Sequence, residues 1–301
     1  MTTATVTEDA FRCDGILRPG NTNCAGCGMS IGLQWFEQGL DGKRPTMCIP
    51  ACCGIVTAGR FPTSAYGVPV IATTFASSAA VATGVTAVRA MNDEDELTMC
   101  WAGDGGTYDI GIATLSAAAE RNEDILYVCY DNEIYGNTGG QRSSATPQGA
   151  KTSTTTQGKA EPKKDIMAII AGHRIPYAAT LSVAHRDDFI RKVRTARDMK
   201  GFRFLLMLSP CPTGWKSEPA ESVDLIHTAI RCGLFPLYEI YDGRRYRIND
   251  RPDDTPVEDY ITQQRRYRSE TLDLAGLKAQ IKDTWEYLNA MERAFPAPPL
   301  D

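Results

Sequence analysis

The sequence predicts an α/β protein with a doubly wound, mostly parallel sheet, because short apolar segments alternate with helical patterns along its 301 residues. The apolar segments are continuous rather than alternating, which is typical of parallel strands buried on both faces. The strand–helix alternation then favours helices on both sides of the sheet. We expect one such domain over residues 1–240 and a C-terminal extension over 241–301, comprising an arm and a helix that contact partner subunits.

Each predicted element is read from a run of apolar residues or from a helical pattern between two such runs. The strands are predicted at 45–51, 68–75, 97–103, 124–132, 175–182 and 202–210. The helices between them are predicted at 77–91, 108–122, 163–173 and 186–199. The serines that open the first of these helices are suited to N-capping.

Two segments break this alternation. Residues 135–158 are rich in Gly, Ser, Thr and Gln, and loops of that length inside a domain are usually functional or disordered. From about Asp242 the chain is charged and interrupted by prolines, and a helical pattern follows from Leu274. The low apolar content of the charged part predicts an arm that lies on another surface or is poorly ordered.

Composition and charge exclude several classes of function. The chain is 43% hydrophobic and 23% charged, and its net charge of −5 disfavours nucleic acid or an anionic membrane as the main partner. No segment approaches the roughly 20 apolar residues that span a bilayer. The N-terminal segment has neither a basic leader nor an apolar core, so we expect a cytoplasmic protein.

A glycine-rich turn follows the predicted strand at 97–103 and predicts a phosphate and metal site. Gly103, Gly105 and Gly106 would let the backbone approach a phosphate, and Asp104 offers a carboxylate oxygen to Mg²⁺. Asn132 lies 28 positions later, at the end of the next strand, and could add its amide oxygen, with the carbonyl of Ile134 as a third ligand. This Asp–Asn arrangement resembles the motif that holds Mg²⁺ on thiamine diphosphate.

The chain contains ten cysteines, and several of them follow predicted strands. Cys24 and Cys27 form a Cys-x-x-Cys pair, Cys52 and Cys53 follow the first strand, and Cys211 follows the last. Loops after parallel strands converge at one edge of a sheet, so these thiols could meet. A redox dithiol, a zinc site and a [4Fe–4S] cluster are the three alternatives that the spacing leaves open. Cys100 and Cys129 lie in apolar runs and are expected to be small buried residues.

Six motifs occur in an order that resembles the β subunits of the 2-oxoacid:ferredoxin oxidoreductases, the pyruvate:ferredoxin oxidoreductase superfamily. They read CAGCG, PACCGI, FASSAAVATG, GDGGTYDIG, DNEIYGNTGGQRSSATPQGA and SPCPTGW, and CGLFPLYEI follows. The third and fifth motifs favour the pyruvate-type branch. The resemblance spans roughly residues 18–265 and implies the thiamine-diphosphate-binding type of α/β fold.

The resemblance also implies the cofactors and the residues that hold them. A [4Fe–4S] cluster would be bound by Cys24, Cys27, Cys52 and Cys211, where the spacing from Cys27 favours Cys52 over its neighbour Cys53. Mg²⁺ would be bound by Asp104, Asn132 and Ile134, and coenzyme A is the implied co-substrate. The implied thiamine diphosphate site comprises Gly103, Asp104, Gly105, Gly106, Asn132, Ile134, Asn137, Thr138, Gly139, Gly140 and Gln141.

The implied activity is oxidative decarboxylation of a small 2-oxoacid, pyruvate, oxalate or phenylglyoxylate, usually with formation of acyl-CoA and CO₂. No glutamate that could activate the cofactor is evident in this chain, so that residue is expected from an α-type subunit. Subunits of the γ and δ types, and ferredoxin or an NAD-reducing subunit, would carry the electrons onward. An electron-transfer or scaffold subunit with a non-catalytic thiamine site, or a non-redox thiamine decarboxylase, are the alternatives.

Several other side chains are candidates for a role at this site. Arg142 lies in the polar loop and could bind a carboxylate or coenzyme A, or only anchor the loop. Trp215 is expected to pack beside the cluster and exclude water. Cys232 and the histidines are expected to be structural or surface residues, the latter being His173, His185 and His227.

Overall fold

The sheet of this protein contains eight strands in the order β2-β1-β3-β4-β6-β5-β7-β8. The structure, a computed structural model, describes residues 15–60, 62–268 and 272–299. Strands β1 to β6 run parallel to one another, whereas β7 pairs antiparallel with β5 and β8 pairs antiparallel with β7. The strands are β1 (Thr46–Pro50), β2 (Val70–Thr73), β3 (Thr98–Gly103), β4 (Ile125–Asp131), β5 (Tyr177–Ser182), β6 (Arg203–Leu208), β7 (Tyr238–Tyr241) and β8 (Arg245–Ile248).

Helices connect and cover these strands. They are α1 (Gly28–Leu40), α2 (Cys53–Val56), α3 (Ser78–Met91), α4 (Ile112–Glu120), α5 (Ile166–Ala171), α6 (Arg186–Asp198), α7 (Pro212–Trp215), α8 (Ser222–Arg231), α9 (Val257–Thr262) and α10 (Leu274–Ala294). A single π-helical turn, Gly105–Asp109, precedes α4. In the part of the chain that the structure describes, no helix has the length and apolar character needed to cross a membrane.

All six strands predicted from continuous apolar segments are present, and so are the four helices between them and the C-terminal helix. Apart from the partly exposed β2, the parallel strands are buried along their whole length, which explains why their sequences show no polar alternation. The predicted doubly wound, mostly parallel sheet is therefore confirmed.

Helices cover both faces of the sheet, and two neighbouring residues of β3 show this. Trp101 points to one face, where Phe36 of α1 packs edge-on against its ring at 5.4 Å and also against Phe189 of α6 at 5.3 Å. Cys100 points to the opposite face, where its thiol lies 3.6 Å from the carbonyl of Ser78 at the start of α3.

The structure contains elements that the sequence analysis did not predict, namely α1, α8 and the β7–β8 hairpin. The hairpin turns at Asp242 and Gly243, whose φ angles of 51° and 64° are the pair of positive values that a type I′ turn requires. The hairpin adds two antiparallel strands to the edge of the parallel sheet at β5.

The residues after 240 pack on the chain's own sheet. Tyr246 of β8 exchanges backbone hydrogen bonds with Phe295 and Ala297, which follow α10, at 2.8 and 2.9 Å. The segment predicted as an arm is thus ordered over 241–268, and the last strand of the sheet lies within it. Its contact with partner subunits stays a prediction.

The strand order places a switch point between β1 and β3. From β1 the chain moves outward to β2, and it then returns past β1 to form β3. Loops that leave two adjacent strands in opposite directions open a crevice beyond their carboxyl ends, and ligands of such sheets bind there. The segment after β1 begins at Ala51 and the segment after β3 begins at Asp104, so both predicted site regions meet at this crevice.

Candidate functional site

A cleft opens at the switch point between β1 and β3. Residues from the ends of β1, β2, β3 and β4 line it, together with the start of the polar loop. They are Ala51, Cys52, Cys53, Phe75, Gly103, Asp104, Gly105, Gly106, Tyr130, Asn132, Ile134, Tyr135, Gly136, Asn137 and Thr138. The cleft thus unites the glycine-rich turn with the Asn132 segment, as the sequence predicts.

The side-chain amide of Asn132 lies between two oxygen atoms on the wall of this cleft. The side-chain oxygen of Asn132 points only at other acceptors, and the atom in that position lies 2.8 Å from both Asp104 Oδ1 and the carbonyl oxygen of Ile134. Without a cation, the Asn132 amide would have to turn its nitrogen toward these two oxygens, because oxygen atoms this close repel one another. With a cation, three oxygens from a carboxylate, an amide and a main-chain carbonyl form one side of a hard-ion site.

Hydrogen bonds from the polar loop hold this oxygen cluster in place. Ser143 is fully buried, and its hydroxyl donates to Asp104 Oδ2, the oxygen that does not face Asn132. Thr146 donates to the carbonyl of Glu133 at 2.7 Å. Burial and the nearby Asp131 raise the pKa of Asp104 well above its ordinary value. A cation at this point would act in the opposite direction and favour the ionised carboxylate.

A second layer of buried charge lies behind the oxygen cluster. Glu133 has a φ of 64°, an unfavourable conformation for a residue other than glycine. Lys163 bridges Asp131 Oδ2 at 2.6 Å and Glu133 Oε1 at 2.9 Å, and Tyr108 donates to Asp131 at 2.8 Å. Burial opposes the charge of Lys163, but Asp131 and Glu133 outweigh it and raise the pKa of Lys163.

The residues predicted from the polar loop divide into two groups. Asn137 and Thr138 line the cleft. Gly139, Gly140 and Gln141 form the turn behind them, in which the carbonyl of Gln141 accepts from the Tyr135 N–H at 3.0 Å and Gly140 donates back to Tyr135 at 3.0 Å. Both glycines have positive φ, so this turn is one that glycine makes without strain.

Four thiols approach one another beside the cleft. Cys24 and Cys27 precede α1, and the N–H of Gly28 donates to the carbonyl of Pro210 at 3.1 Å, next to Cys211. A Cβ atom at position 28 would lie 2.2 Å from the Pro210 ring, so only glycine permits this approach. The Cys-x-x-Cys pair is therefore held against the loop that carries Cys211.

Cys53 lies near the other thiols of this group. Burial, followed by the neighbouring thiols of Cys211, Cys52, Cys27 and Cys24, raises the pKa of Cys53 to about 12. Cys53 Sγ lies 3.4 Å from the side-chain oxygen of Asn137 at the cleft. Cys53 is thus the thiol shared by the cleft and the cysteine group.

Cys52 contacts Pro50 and Tyr130. Its sulfur lies 2.9 Å from the carbonyl oxygen of Pro50, and its thiol also interacts with the Tyr130 hydroxyl. Cys52 has an extended backbone and Cys53 begins α2, so the two side chains leave the chain in different directions.

The thiols are not yet arranged at metal-binding distance. Over residues 15–60, 62–268 and 272–299, no group of three or more His, Cys, Asp or Glu side chains surrounds a ready metal position. Cys24 is exposed in its loop, whereas burial raises the pKa of Cys211 to about 11.

Trp215 connects the cysteine group to the oxygen cluster. It is fully buried and ends α7, the short helix that starts directly after Cys211. Its indole N–H donates to the carbonyl of Asn132 at 2.8 Å, so the loops after β6 and β4 are hydrogen-bonded to each other.

The remaining residues weighed from the sequence lie outside the cleft lining. Arg142 is partly exposed and pairs with Glu161 at 3.3 Å. His173 contacts Ser116, and the rings of His185 and His227 stack on each other at 5.3 Å. Cys100, Cys129 and Cys232 are buried, as expected.

Some site residues were missed by the sequence analysis. Phe75 and Tyr135 line the cleft and contact each other edge-on at 5.8 Å, and Ser143 supports Asp104 from the loop. All three lie within motifs quoted from the sequence, yet nothing in a single sequence distinguishes a lining residue from a packing residue there.

Comparison with known proteins identifies relatives over most of the chain. A family model described as the C-terminal TPP-binding domain of thiamine pyrophosphate enzymes matches residues 51–207. Ketoisovalerate oxidoreductase subunit VorB of Pyrococcus horikoshii is 38% identical over 291 residues, covering 92% of this chain and 93% of the relative. Pyruvate synthase subunit PorB of Methanothermobacter marburgensis is 42% identical over 259 residues, covering 84% and 89%.

A solved structure shares the fold. It is the 2-oxoglutarate:ferredoxin oxidoreductase from Magnetococcus marinus, described with 2-oxoglutarate, coenzyme A and succinyl-CoA bound. It matches with a TM-score of 0.63 at 19% identity, covering 92% of this chain and 97% of that chain.

Proposed function

Because the chain belongs to the β subunits of the 2-oxoacid:ferredoxin oxidoreductases, a family of thiamine-dependent enzymes, we propose that it holds Mg²⁺–thiamine diphosphate and one [4Fe–4S] cluster in a heteromeric enzyme. The proposed reaction is oxidative decarboxylation of a small 2-oxoacid of the pyruvate or branched-chain class. The observation that carries the proposal is the Asn132 side-chain amide, which lies 2.8 Å from both Asp104 Oδ1 and the Ile134 carbonyl oxygen at the switch point, with a cysteine group beside it.

Asp104, Asn132 and the Ile134 carbonyl would hold Mg²⁺, which in turn would hold the diphosphate. Mg²⁺ usually takes a few protein oxygens and completes its shell with phosphate oxygens and water, which suits a site with three donors on one side. Gly105 and Gly106 line the cleft and would present their backbone to a diphosphate, and a Cβ at Gly105 would lie 2.3 Å from the Tyr135 ring. Asn137 and Thr138 would contact the bound cofactor from the polar loop.

When bound, the thiazolium ring supplies the electron sink that the loss of CO₂ from a 2-oxoacid requires. Phe75 and Tyr135 supply an apolar wall beside it and exclude water from that part of the cleft. The residues that line the cleft include no glutamate, so the group that activates the aminopyrimidine would come from an α-type subunit facing this chain.

The cysteine group would bind the [4Fe–4S] cluster through Cys24, Cys27, Cys53 and Cys211. Here the proposal departs from the sequence expectation, which favoured Cys52 on spacing. Cys53 lies near the other three thiols and also lines the cleft, so it would hold a cluster next to the proposed cofactor site. Four thiolates from scattered loops suit such a cluster.

A co-substrate, a substrate class and partner subunits complete the proposal. Coenzyme A is proposed to accept the acyl group, and pyruvate, 2-oxoisovalerate, oxalate and phenylglyoxylate are the substrates to be compared. Subunits of the α, γ and δ types, with ferredoxin or an NAD-reducing subunit as acceptor, would complete the enzyme. The relatives' names as subunits support a multi-subunit complex.

The test compares Cys53→Ser with Cys52→Ser in the whole complex, produced with its partner subunits. We expect C53S to lose about four irons per complex and the turnover of every 2-oxoacid, since a [4Fe–4S] cluster requires its full thiolate set. C52S should keep its iron and its turnover. Full iron in C53S would refute the assignment of the ligands.

A second variant separates the catalytic proposal from its alternatives. Asp104→Asn should abolish thiamine diphosphate retention while keeping the iron content. An electron-transfer or scaffold subunit would show iron but no bound thiamine diphosphate in the wild type. A non-redox decarboxylase would release CO₂ from pyruvate without reducing any acceptor.

A further inference from the structure

Arg266 lies between the two parts of the proposed site, although it comes from the C-terminal segment. It belongs to a short turn, Arg265–Tyr267, and is only 2% exposed. Its backbone carbonyl accepts a hydrogen bond from Lys151 of the polar loop at 2.8 Å. The C-terminal segment thus places the buried guanidinium of Arg266 on the side of the site that faces away from the cleft.

One contact joins Arg266 to the oxygen cluster. Its Nη2 donates to Glu133 Oε2 at 2.6 Å, and Glu133 stands between two of the three proposed cation ligands, Asn132 and Ile134. Glu133 occupies a left-handed backbone conformation, which needs support from its surroundings to persist. The ion pairs of Glu133 with Arg266 and Lys163 supply that support.

A different contact joins Arg266 to the cysteine group. The guanidinium lies 4.3 Å from the centre of the Trp215 ring, a stacking distance for a cation on an indole face. Trp215 belongs to the helical turn that starts at Cys211, and its backbone N–H donates to the Cys211 carbonyl at 2.7 Å. The same indole donates to the carbonyl of Asn132.

We propose that Arg266 is a positioning residue that couples the cation site to the Cys211 loop, so that binding of Mg²⁺–thiamine diphosphate stabilises that loop. The proposal rests on the proposed function, because it takes the oxygen cluster as the cation site and Cys211 as a cluster ligand. Coupling of this kind is reciprocal, so a bound cluster would also favour the cation.

The variants are chosen to separate the ion pair with Glu133 from the stacking on Trp215. Arg266→Met removes the charge but keeps most of the aliphatic length. Arg266→Lys keeps a charge for Glu133 but lacks the planar group that stacks on Trp215. Arg265→Met is the matched control, since Arg265 is exposed and, within the described ranges, its side chain pairs with Glu218 at 3.6 Å.

The first measurement is the apparent Kd for Mg²⁺ of the whole complex, stripped of Mg²⁺ and thiamine diphosphate and titrated at saturating thiamine diphosphate. R266M should weaken Mg²⁺ binding by about 10–100-fold, which is the usual effect of losing an outer-shell partner. R266K should stay within about threefold of the wild type because its ion pair with Glu133 persists. R265M should leave the value unchanged.

The second measurement is hydrogen–deuterium exchange of the cluster-containing complex, with and without Mg²⁺ and thiamine diphosphate. In the wild type and R265M, binding should slow exchange in residues 130–141, which form the site, and in residues 211–217, which carry Cys211. In both Arg266 variants the protection of 211–217 should be reduced, because the direct hydrogen bond from Trp215 to the Asn132 carbonyl remains, while R266K keeps that of 130–141. If R266M does not assemble, R266K still provides this comparison.

The outcomes separate the two proposals. Protection of 211–217 in R266K equal to the wild type, or Mg²⁺ affinity of R266M equal to that of R265M, would overturn the coupling role of Arg266. An absence of protection at 130–141 in the wild type would instead overturn the cofactor site itself.

Discussion

Ser143→Ala removes one hydrogen bond from the proposed cation site and leaves the cleft wall otherwise intact. Ser143 is 1% exposed, and its hydroxyl donates to Asp104 Oδ2, while Asp104 Oδ1 faces Asn132. The Ser143 hydroxyl therefore determines which way the carboxylate is turned. The variant leaves that carboxylate oxygen buried without its donor.

The expected effect follows from the energy of a buried hydrogen bond to a charged group, about 1.5–3 kcal/mol. At about 1.4 kcal/mol per tenfold, this corresponds to a 10–100-fold weaker apparent Kd for Mg²⁺. Outer-shell contacts of other metal sites fall in the same range, about 10–100-fold. The cysteine group is not touched, so the iron content should stay unchanged.

The assay is a calorimetric titration of the stripped complex with Mg²⁺ at saturating thiamine diphosphate. Ser144→Ala is the matched control, because it makes the same chemical change one position later and keeps the backbone contacts of Ser144 with Asp109 and Lys159. A Kd for S143A within twofold of S144A would refute the role assigned to Ser143. So would an equal loss of affinity in both variants.

Three further predictions concern stability and backbone geometry. Burial opposes ionisation of Glu239, but hydrogen bonds led by Arg191 lower its pKa to about 2. As the pH falls, the unfolded state therefore binds the proton first, and the unfolding free energy measured in urea should fall by about 3 kcal/mol from pH 5 to pH 2. In Glu239→Gln the unfolding free energy should change less over the same pH range. Gly111→Ala would place a Cβ 1.9 Å from the carbonyl of Gly106, so we expect loss of bound thiamine diphosphate, measured after denaturation, with iron retained. Phe36→Ala removes a fully buried ring, and its unfolding free energy should drop by about 3–5 kcal/mol in urea titration, a small drop being evidence against tight packing there.

The parallel part of the fold could be predicted from sequence because burial on both faces leaves a direct signature. A strand such as β4 contains no exposed position, so its sequence is uninterrupted and apolar, and the glycine-rich turn after β3 marks the ligand edge. Helix α1 was missed although its pattern is helical, because its first residues were read as part of the cysteine motif. The β7–β8 hairpin carried an Asp-Gly signal between alternating residues that was available and not used.

The choice between Cys52 and Cys53 shows what a sequence does not contain. The two thiols are adjacent and chemically identical, and their directions depend on where the extended segment after β1 becomes helical. That point is set by contacts from distant residues, including the Tyr130 hydroxyl, which accepts from the Gly54 N–H at 2.8 Å. Spacing along the chain carries no information about such a contact. The role of Arg266 was hidden for the same reason, since 133 positions separate it from Glu133.

The two edge strands of the sheet differ in how they are covered, and this difference affects the risk of aggregation during synthesis. At one end β8 is covered through its hydrogen bonds with the segment after α10. At the other end β2 pairs with β1 alone among the described strands, and its Ile71 and Ala72 are exposed. A bare strand edge can recruit any extended segment that it meets, including one from another copy. Any contact that covers β2 would therefore protect this chain against aggregation at that edge.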